Sequence, residues 1–129
     1  MRVKNSNTKR KVLIADDSPD IAVRLAEAIG SIHGMQIVGP AADGPAALAL
    51  FAAEKPDIAI LDLQMPGMNG LEVVSSIRRH DQAAMLVILT THDTPEYRRI
   101  ALNKGANHFL SKTANLDRVA DLIREYCES

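Results

Sequence analysis

Apolar residues in this chain follow two rhythms that take turns. Short unbroken apolar runs at 12–15, 58–61 and 85–89 alternate with longer stretches in which apolar positions return every three or four residues. Unbroken runs predict strands covered on both faces, and the longer spacing predicts helices with one apolar side. The first strand, over residues 11–15, stops at Asp16-Asp17, where Ser18-Pro19 supplies an N-cap and an N1 proline. Ile21, Leu25, Ala28, Ile29 and Ile32 carry a helix to about His33, with Gly34 ending it. A weaker strand covers 36–39. Asp43-Gly44-Pro45 opens a second helix with Ala47, Leu48, Phe51 and Ala52 turned inward, and Lys55-Pro56 closes it. A third strand, flanked by Pro56 and Pro66, leads to Asp62.

Asn69 then caps a helix whose apolar face is Leu71, Val74 and Ile77, with Arg78, Arg79 and His80 suited to its last turn. The fourth strand ends in Thr90-Thr91-His92. Thr94-Pro95 starts a helix carrying Tyr97, Ile100, Ala101 and Lys104, with Gly105 as its stop. A short strand over 107–110 runs into Ser111-Lys112, and a last helix over about 116–127 turns Leu116, Val119, Ala120, Ile123 and Cys127 inward. Five successive β-then-α units with no break in composition require right-handed crossovers and a parallel sheet with helices on both faces. The economical solution is an α/β, doubly wound, flavodoxin-like (βα)5 fold with strand order 2-1-3-4-5, whose switch point lies between strands one and three.

Composition narrows this without changing it. The chain has 129 residues, 47% apolar and 24% charged, enough for one domain with a substantial core. A net charge of −1 gives no reason to expect direct nucleic-acid or membrane binding. The single cysteine, Cys127, excludes an intrachain disulfide and reads as a half-buried structural thiol. Arg2, Lys4, Lys9, Arg10 and Lys11 make a basic start, but the apolar run after them is too short for a signal peptide. The expectation is a disordered basic tail over 1–10, a single domain over 11–129, and a cytoplasmic location.

The switch point is where chemistry gathers. It places Asp16-Asp17 beside Asp62, with Thr90 and Lys112 ending strands on the same edge. Each residue alone has an ordinary reading as a turn former, a helix-start charge or a strand terminus; their joint placement at four strand ends points to a site. Three converging carboxylates resist full ionisation unaided, and a divalent cation held by Asp16 or Asp17 and Asp62 is the simplest remedy. All-oxygen ligands at an open site favour Mg²⁺. A carboxylate beside Mg²⁺, a lysine and a hydroxyl is a good phosphoryl acceptor: Asp62 attacks phosphorus, Lys112 neutralises oxygens with the cation, and Thr90 hydrogen-bonds one of them.

The Asp16-Asp17 pair, Leu61-Asp62-Leu63-Gln64-Met65-Pro66-Gly67-Met68-Asn69-Gly70, Leu89-Thr90, and Gly105-Ala106 followed by Phe109-Leu110-Ser111-Lys112 resemble the receiver domain of two-component response regulators. The resemblance covers about residues 11–125. It implies Asp62 as phospho-acceptor and a sensor histidine kinase or histidine phosphotransfer protein as donor. Asp17, Asp62 and the Gln64 carbonyl are implied as direct Mg²⁺ ligands, with Asp16 acting through water. Thr90 is the implied switch hydroxyl, Phe109 the switch aromatic and Lys112 the phosphate-binding lysine. The implied output is a repacked surface of helix four, strand five and helix five, facing a downstream protein target or a second copy in a dimer. No conventional enzyme is implied beyond catalysis of its own phosphorylation and slow autodephosphorylation.

Two departures from the family pattern bear on this. Thr113 stands where the family usually has proline, and a cis bond to threonine costs about 2.5–4 kcal/mol, so the loop is either trans or held under strain. Thr91, His92 and Gln64 lie where a hydrolytic water would approach, and are expected to modulate phosphoaspartate lifetime. A dehalogenase-type phosphatase needs a second aspartate where Gln64 stands, and a cofactor-binding flavodoxin would find its phosphate repelled by Asp16-Asp17. The remaining alternative is a phosphorylation-independent interaction module, for which Thr113 is the one favourable feature.

Overall fold

The three unbroken apolar runs lie on β1 (Arg10–Ala15), β3 (Ile58–Asp62) and β4 (Met85–Thr90), and two mixed stretches form β2 (Met35–Ala41) and β5 (His108–Ser111), all five strands being parallel. The computed structural model describes residues 10–113 and 116–128. The strands lie in the order β2-β1-β3-β4-β5, as the alternating pattern predicts. Five helices connect and cover them: α1 (Pro19–Gly30), α2 (Gly44–Glu54), α3 (Gly70–Arg78), α4 (Pro95–Lys104) and α5 (Leu116–Glu128). No helix among the described residues is long and apolar enough to cross a membrane.

The runs are unbroken because the sheet is covered twice. Leu13, Ala59, Leu61, Leu86, Ile88 and Phe109 point to one side, where Phe51, Leu71, Val74, Ile77 and Ala101 of α2, α3 and α4 meet them. Val12, Ile14, Ile58, Ile60, Val87 and Leu89 point to the other, against Leu25 and Ile29 of α1 and Val119 and Ile123 of α5. Each fully buried leucine or isoleucine contributes about 1.5–3 kcal/mol from its removal from water. The strand leading to Asp62 is buried at every position.

Several boundaries differ from the sequence expectation. Helix α1 stops at Gly30, a turn early, because Ile32 and Met35 donate into a tight turn (Ile32 N to Ile29 O, 2.9 Å; Met35 N to Ile32 O, 3.3 Å) that delivers the chain directly into β2. Ser18 occupies the N-cap position, but its side chain makes no capping bond. Strand β2 extends to Ala41, kept in the ladder by its pairing with Ala15. Ala52 is exposed, the inward face of α2 being Gly44, Ala47 and Phe51. Helix α4 buries only Ala101, so Tyr97 and Ile100 belong to its surface and margin. Leu122 joins the inner face of α5, and Leu116 and Cys127 are half-buried. Strand β1 takes in Arg10, and the tail expected before it lies outside the described residues.

The loop from β3 into α3 is locked in place. Asn69 and Glu72 form a reciprocal capping box, with Glu72 N donating to Asn69 Oδ1 (2.9 Å) and Asn69 N to Glu72 Oε1 (3.0 Å). Gly70 follows because its backbone presses on that of Asp62: a Cβ there would collide with the Asp62 carbonyl.

Candidate functional site

Pairing of β1 with β3 sets Ala15 opposite Leu61, so the next residues, Asp16 and Asp62, emerge side by side at the carboxyl edge. Both are almost fully buried, at 4% and 5% exposure, while Asp17 is exposed. One oxygen from each of the three carboxylates falls within a 4.8 Å group. Lys112, one residue past β5, reaches across this edge. Its Nζ stands 3.0 Å from Asp16 Oδ2 and 3.0 Å from Asp62 Oδ2, and donates to Asp16 Oδ1 at 3.2 Å. The Lys112 N–H donates to the Thr90 carbonyl (2.9 Å), fixing the stem of the lysine to the neighbouring strand.

The electrostatics follow from burial and crowding. Removal from water, then the nearby Asp16 charge, push the Asp62 carboxyl up to about 6, while Lys112 and the Gln64 N–H (3.2 Å to Oδ1) pull the other way. For Lys112 burial works to lower the pKa, but the bonds and charges of Asp16 and Asp62 outweigh it and raise the value. Three carboxylates facing one ammonium leave an excess of two negative charges. Asp16 Oδ2 is buried and accepts no hydrogen bond, the ammonium lying near it without hydrogen-bonding geometry. An all-oxygen cluster with a two-charge deficit, an orphaned oxygen and one solvent-facing ligand fits a hard divalent cation such as Mg²⁺.

The other expected site residues fall on the same edge to different degrees. Thr90 ends β4 with its side chain buried, and its Oγ1 accepts the His92 N–H at 2.8 Å. Thr91 and His92 are exposed and joined by a 3.3 Å contact between Thr91 Oγ1 and His92 Nδ1, and the His92 ring meets Tyr97 edge-on at 6.4 Å. The Gln64 side chain is exposed; its contact with the acidic cluster is through its backbone N–H. Phe109 lies inside the cluster on the α4 side with the Arg98 guanidinium 5.3 Å above its ring. Gly39–Pro40 is the only cis peptide among the described residues, so Lys112–Thr113 is trans, and Thr113 turns back to donate from its N–H to Ser111 Oγ (3.2 Å).

Two participants escape sequence reasoning. Ser18 serves through its backbone, its N–H donating to Asp16 Oδ1 at 2.8 Å in an Asx-type turn; an aspartate two residues before Ser-Pro carries that signal. Arg98 over Phe109 has no local signature, because the contact joins a helix to a strand across a fold.

A family model described as the response regulator receiver domain matches residues 12–124. The chain is 33% identical over 115 residues to the transcriptional regulatory protein NarL of Mycobacterium tuberculosis, covering 89% of this chain and 53% of that protein. It spans about half the length of the curated relatives it matches. Among solved structures, the NarL signal receiver domain of Mycobacterium tuberculosis superposes with a TM-score of 0.86 at 31% identity, over 95% of this chain and 98% of that one. A CheX-CheY-BeF3-Mg²⁺ complex from Borrelia burgdorferi gives 0.79 at 29% identity, over 90% of each chain.

Proposed function

This chain belongs to the response regulator receiver domain family, and on that footing we propose that Asp62 accepts a phosphoryl group from a histidine kinase or a histidine phosphotransfer protein. The observation that carries the assignment is the Asp62 carboxylate, held at the end of a fully buried strand and shared with Asp16 by one lysine. An Asp62 oxygen forms the new O–P bond as the P–N bond of the donor phosphohistidine breaks, its electron pair leaving with the imidazole. Lys112 transfers its contact from the two carboxylates to the phosphoryl oxygens, and the Thr90 hydroxyl turns from the His92 N–H to donate to one of them. Asp17 and Asp62, with the Gln64 carbonyl, would hold Mg²⁺ directly, and Asp16 would act through water. A cation bound there would supply positive charge to offset that of the phosphoryl oxygens. A similar solved assembly that contains BeF3 and Mg²⁺ supports this reading.

Conversion of the Asp62 carboxylate into a dianionic acyl phosphate adds about one further negative charge to a site already two in excess, which a bound divalent cation would offset. Turning of Thr90, with Phe109 following, repacks the α4-β5-α5 surface toward a protein partner or a second copy. Gln64, Thr91 and His92 line the approach of water to the acyl phosphate and set its lifetime. The exposed, mutually bonded Thr91 and His92 support that role.

The test is intact mass after incubation with acetyl phosphate and Mg²⁺, for wild type and Asp62→Asn. A metal-dependent gain of one phosphoryl group in wild type only is expected. No gain in a folded, Mg²⁺-binding protein would leave a phosphorylation-independent interaction module as the reading.

A further inference from the structure

Arg78, in the last turn of α3, stands where three segments meet. Its Nε donates to the Gly105 carbonyl (2.9 Å), Nη2 to Asn107 Oδ1 (2.9 Å) and Nη1 to the Asp81 carbonyl (3.2 Å). Asn107 is held from the other side as well. Its Oδ1 accepts the Leu86 N–H at 2.7 Å, and its own N–H donates to the Leu86 carbonyl at 2.7 Å. The Arg78 stem packs so closely on Gly105 that a Cβ there would lie 2.6 Å from Arg78 Cγ, and Gly105 also ends α4 with φ +118°. Partial burial lowers the pKa of the guanidinium from its ordinary value.

The opposite end of α4 is held differently. Residues 91–99 are all exposed, Ala101 is the one buried residue of the helix, and the side-chain ion pair across its first turn, Arg98 to Asp93, is long at 3.9 Å between exposed groups. What ties this end to the acidic edge is the bond from the His92 N–H to the buried Thr90 hydroxyl, and what ties it to β5 is the Arg98 guanidinium over the Phe109 ring.

We propose that Arg78 is a positioning residue that pins the C-terminal end of α4 to α3 and β4, so that α4 moves as a lever hinged at Gly105. Displacement of the Thr90 hydroxyl then emerges at residues 92–99, while the entry to β5 stays fixed. This rests on the phosphoryl-acceptor reading for the event that displaces the hydroxyl, and places the backbone displacement in the first half of α4, with Phe109 of β5 responding by its side chain alone. A ten-residue helix is about 15 Å long, so a tilt of about 10° at Gly105 carries its first turn roughly 2.5 Å.

The test is backbone hydrogen exchange on the whole chain, with and without Mg²⁺ and beryllofluoride, for wild type, Arg78→Met and Arg78→Lys. In wild type the ligand-induced change is expected over 92–100, with little at 104–110. Arg78→Met should speed unliganded exchange over 104–110 by about tenfold, the scale of one or two part-buried hydrogen bonds, and spread the ligand response into that stretch. Arg78→Lys keeps the cation and stem without the fork, and should fall between; it also serves as the comparison if Arg78→Met fails to fold. Acetyl phosphate labelling should stay within about twofold of wild type, because Arg78 does not touch the site. A uniform ligand response in wild type, or an unchanged pattern in a folded Arg78 variant, overturns the lever. Failure to take up beryllofluoride at all overturns the phosphoryl-acceptor reading and with it the trigger, whereas uptake with a uniform response overturns the lever alone.

Discussion

Asp62→Asn should make the metal-free protein more stable at neutral pH, and the gain should depend on pH in one direction. The folded-state pKa of Asp62 is raised from 3.8 to about 6, first by burial and then by Asp16. A raised carboxyl retains its proton in the folded state while the unfolded chain releases it, so stability is fully present below about 3.8 and is lost as pH rises toward 6. Two units at about 1.4 kcal/mol each give an upper bound near 3 kcal/mol. Asparagine keeps the shape and an acceptor for the Gln64 N–H, but weakens the attraction to Lys112, 3.0 Å away. A net gain of about 1–2 kcal/mol at pH 7 is therefore expected. The assay is urea unfolding in EDTA from pH 4.5 to 8, read as variant minus wild type so that other titrating groups cancel. The difference should climb between pH 4.5 and 6 and level off above. A difference that is flat across this range, or that favours wild type more as pH rises, would refute the electrostatic account of the site.

The remaining predictions follow from single contacts. Lys112→Met strands two buried carboxylates and should lower metal-free stability at pH 7 by about 2–4 kcal/mol in urea unfolding, with Mg²⁺ restoring a large part. Asp17→Asn should weaken Mg²⁺ binding by about tenfold or more in titration calorimetry, a charged ligand being worth at least about 1.4 kcal/mol; the method suits a chain without tryptophan. Gly70→Ala forces a methyl against the Asp62 carbonyl and should destabilise by about 1–3 kcal/mol while slowing acetyl phosphate labelling. Asn69→Ala removes the capping box of α3, and a loss of about 1 kcal/mol with labelling unchanged is expected.

What the sequence discloses is what local chemistry dictates. Strand order and the convergence of Asp16, Asp17, Asp62, Thr90 and Lys112 were legible because unbroken apolar runs admit only a doubly covered sheet, and the strand-end residues follow from its topology. The helix starts at Asp43, Asn69 and Thr94 were legible from local chemistry, each side chain accepting an N–H three residues on, whereas Ser18 before Pro19 has the same signal and makes no such bond. The end of helix α1 is not legible in the same way, because Ile32 continues the apolar rhythm while the backbone past Gly30 tightens into a turn (Ile32 N–H to Ile29 O) and reverses at Gly34, φ +86°. Whether Tyr97 and Ile100 of α4 face solvent or core stays open from the sequence, because helical spacing is the same whether or not anything covers them. Arg78 gave no sign of its role, since a cation in the last turn of a helix already has an ordinary explanation in the helix dipole.

The sheet has a consequence for how damage spreads through the molecule. Its two apolar clusters share no side chain, the strands feeding them alternately from Leu13 and Val12 to Ile88 and Leu89. Neighbours in sequence such as Ile60 and Leu61 therefore live in different interiors, separated by a wall of hydrogen-bonded backbone. Lesions on opposite sides of that wall should sum without coupling, and lesions on one side should interact. The chain thus has two interiors of separate tolerance.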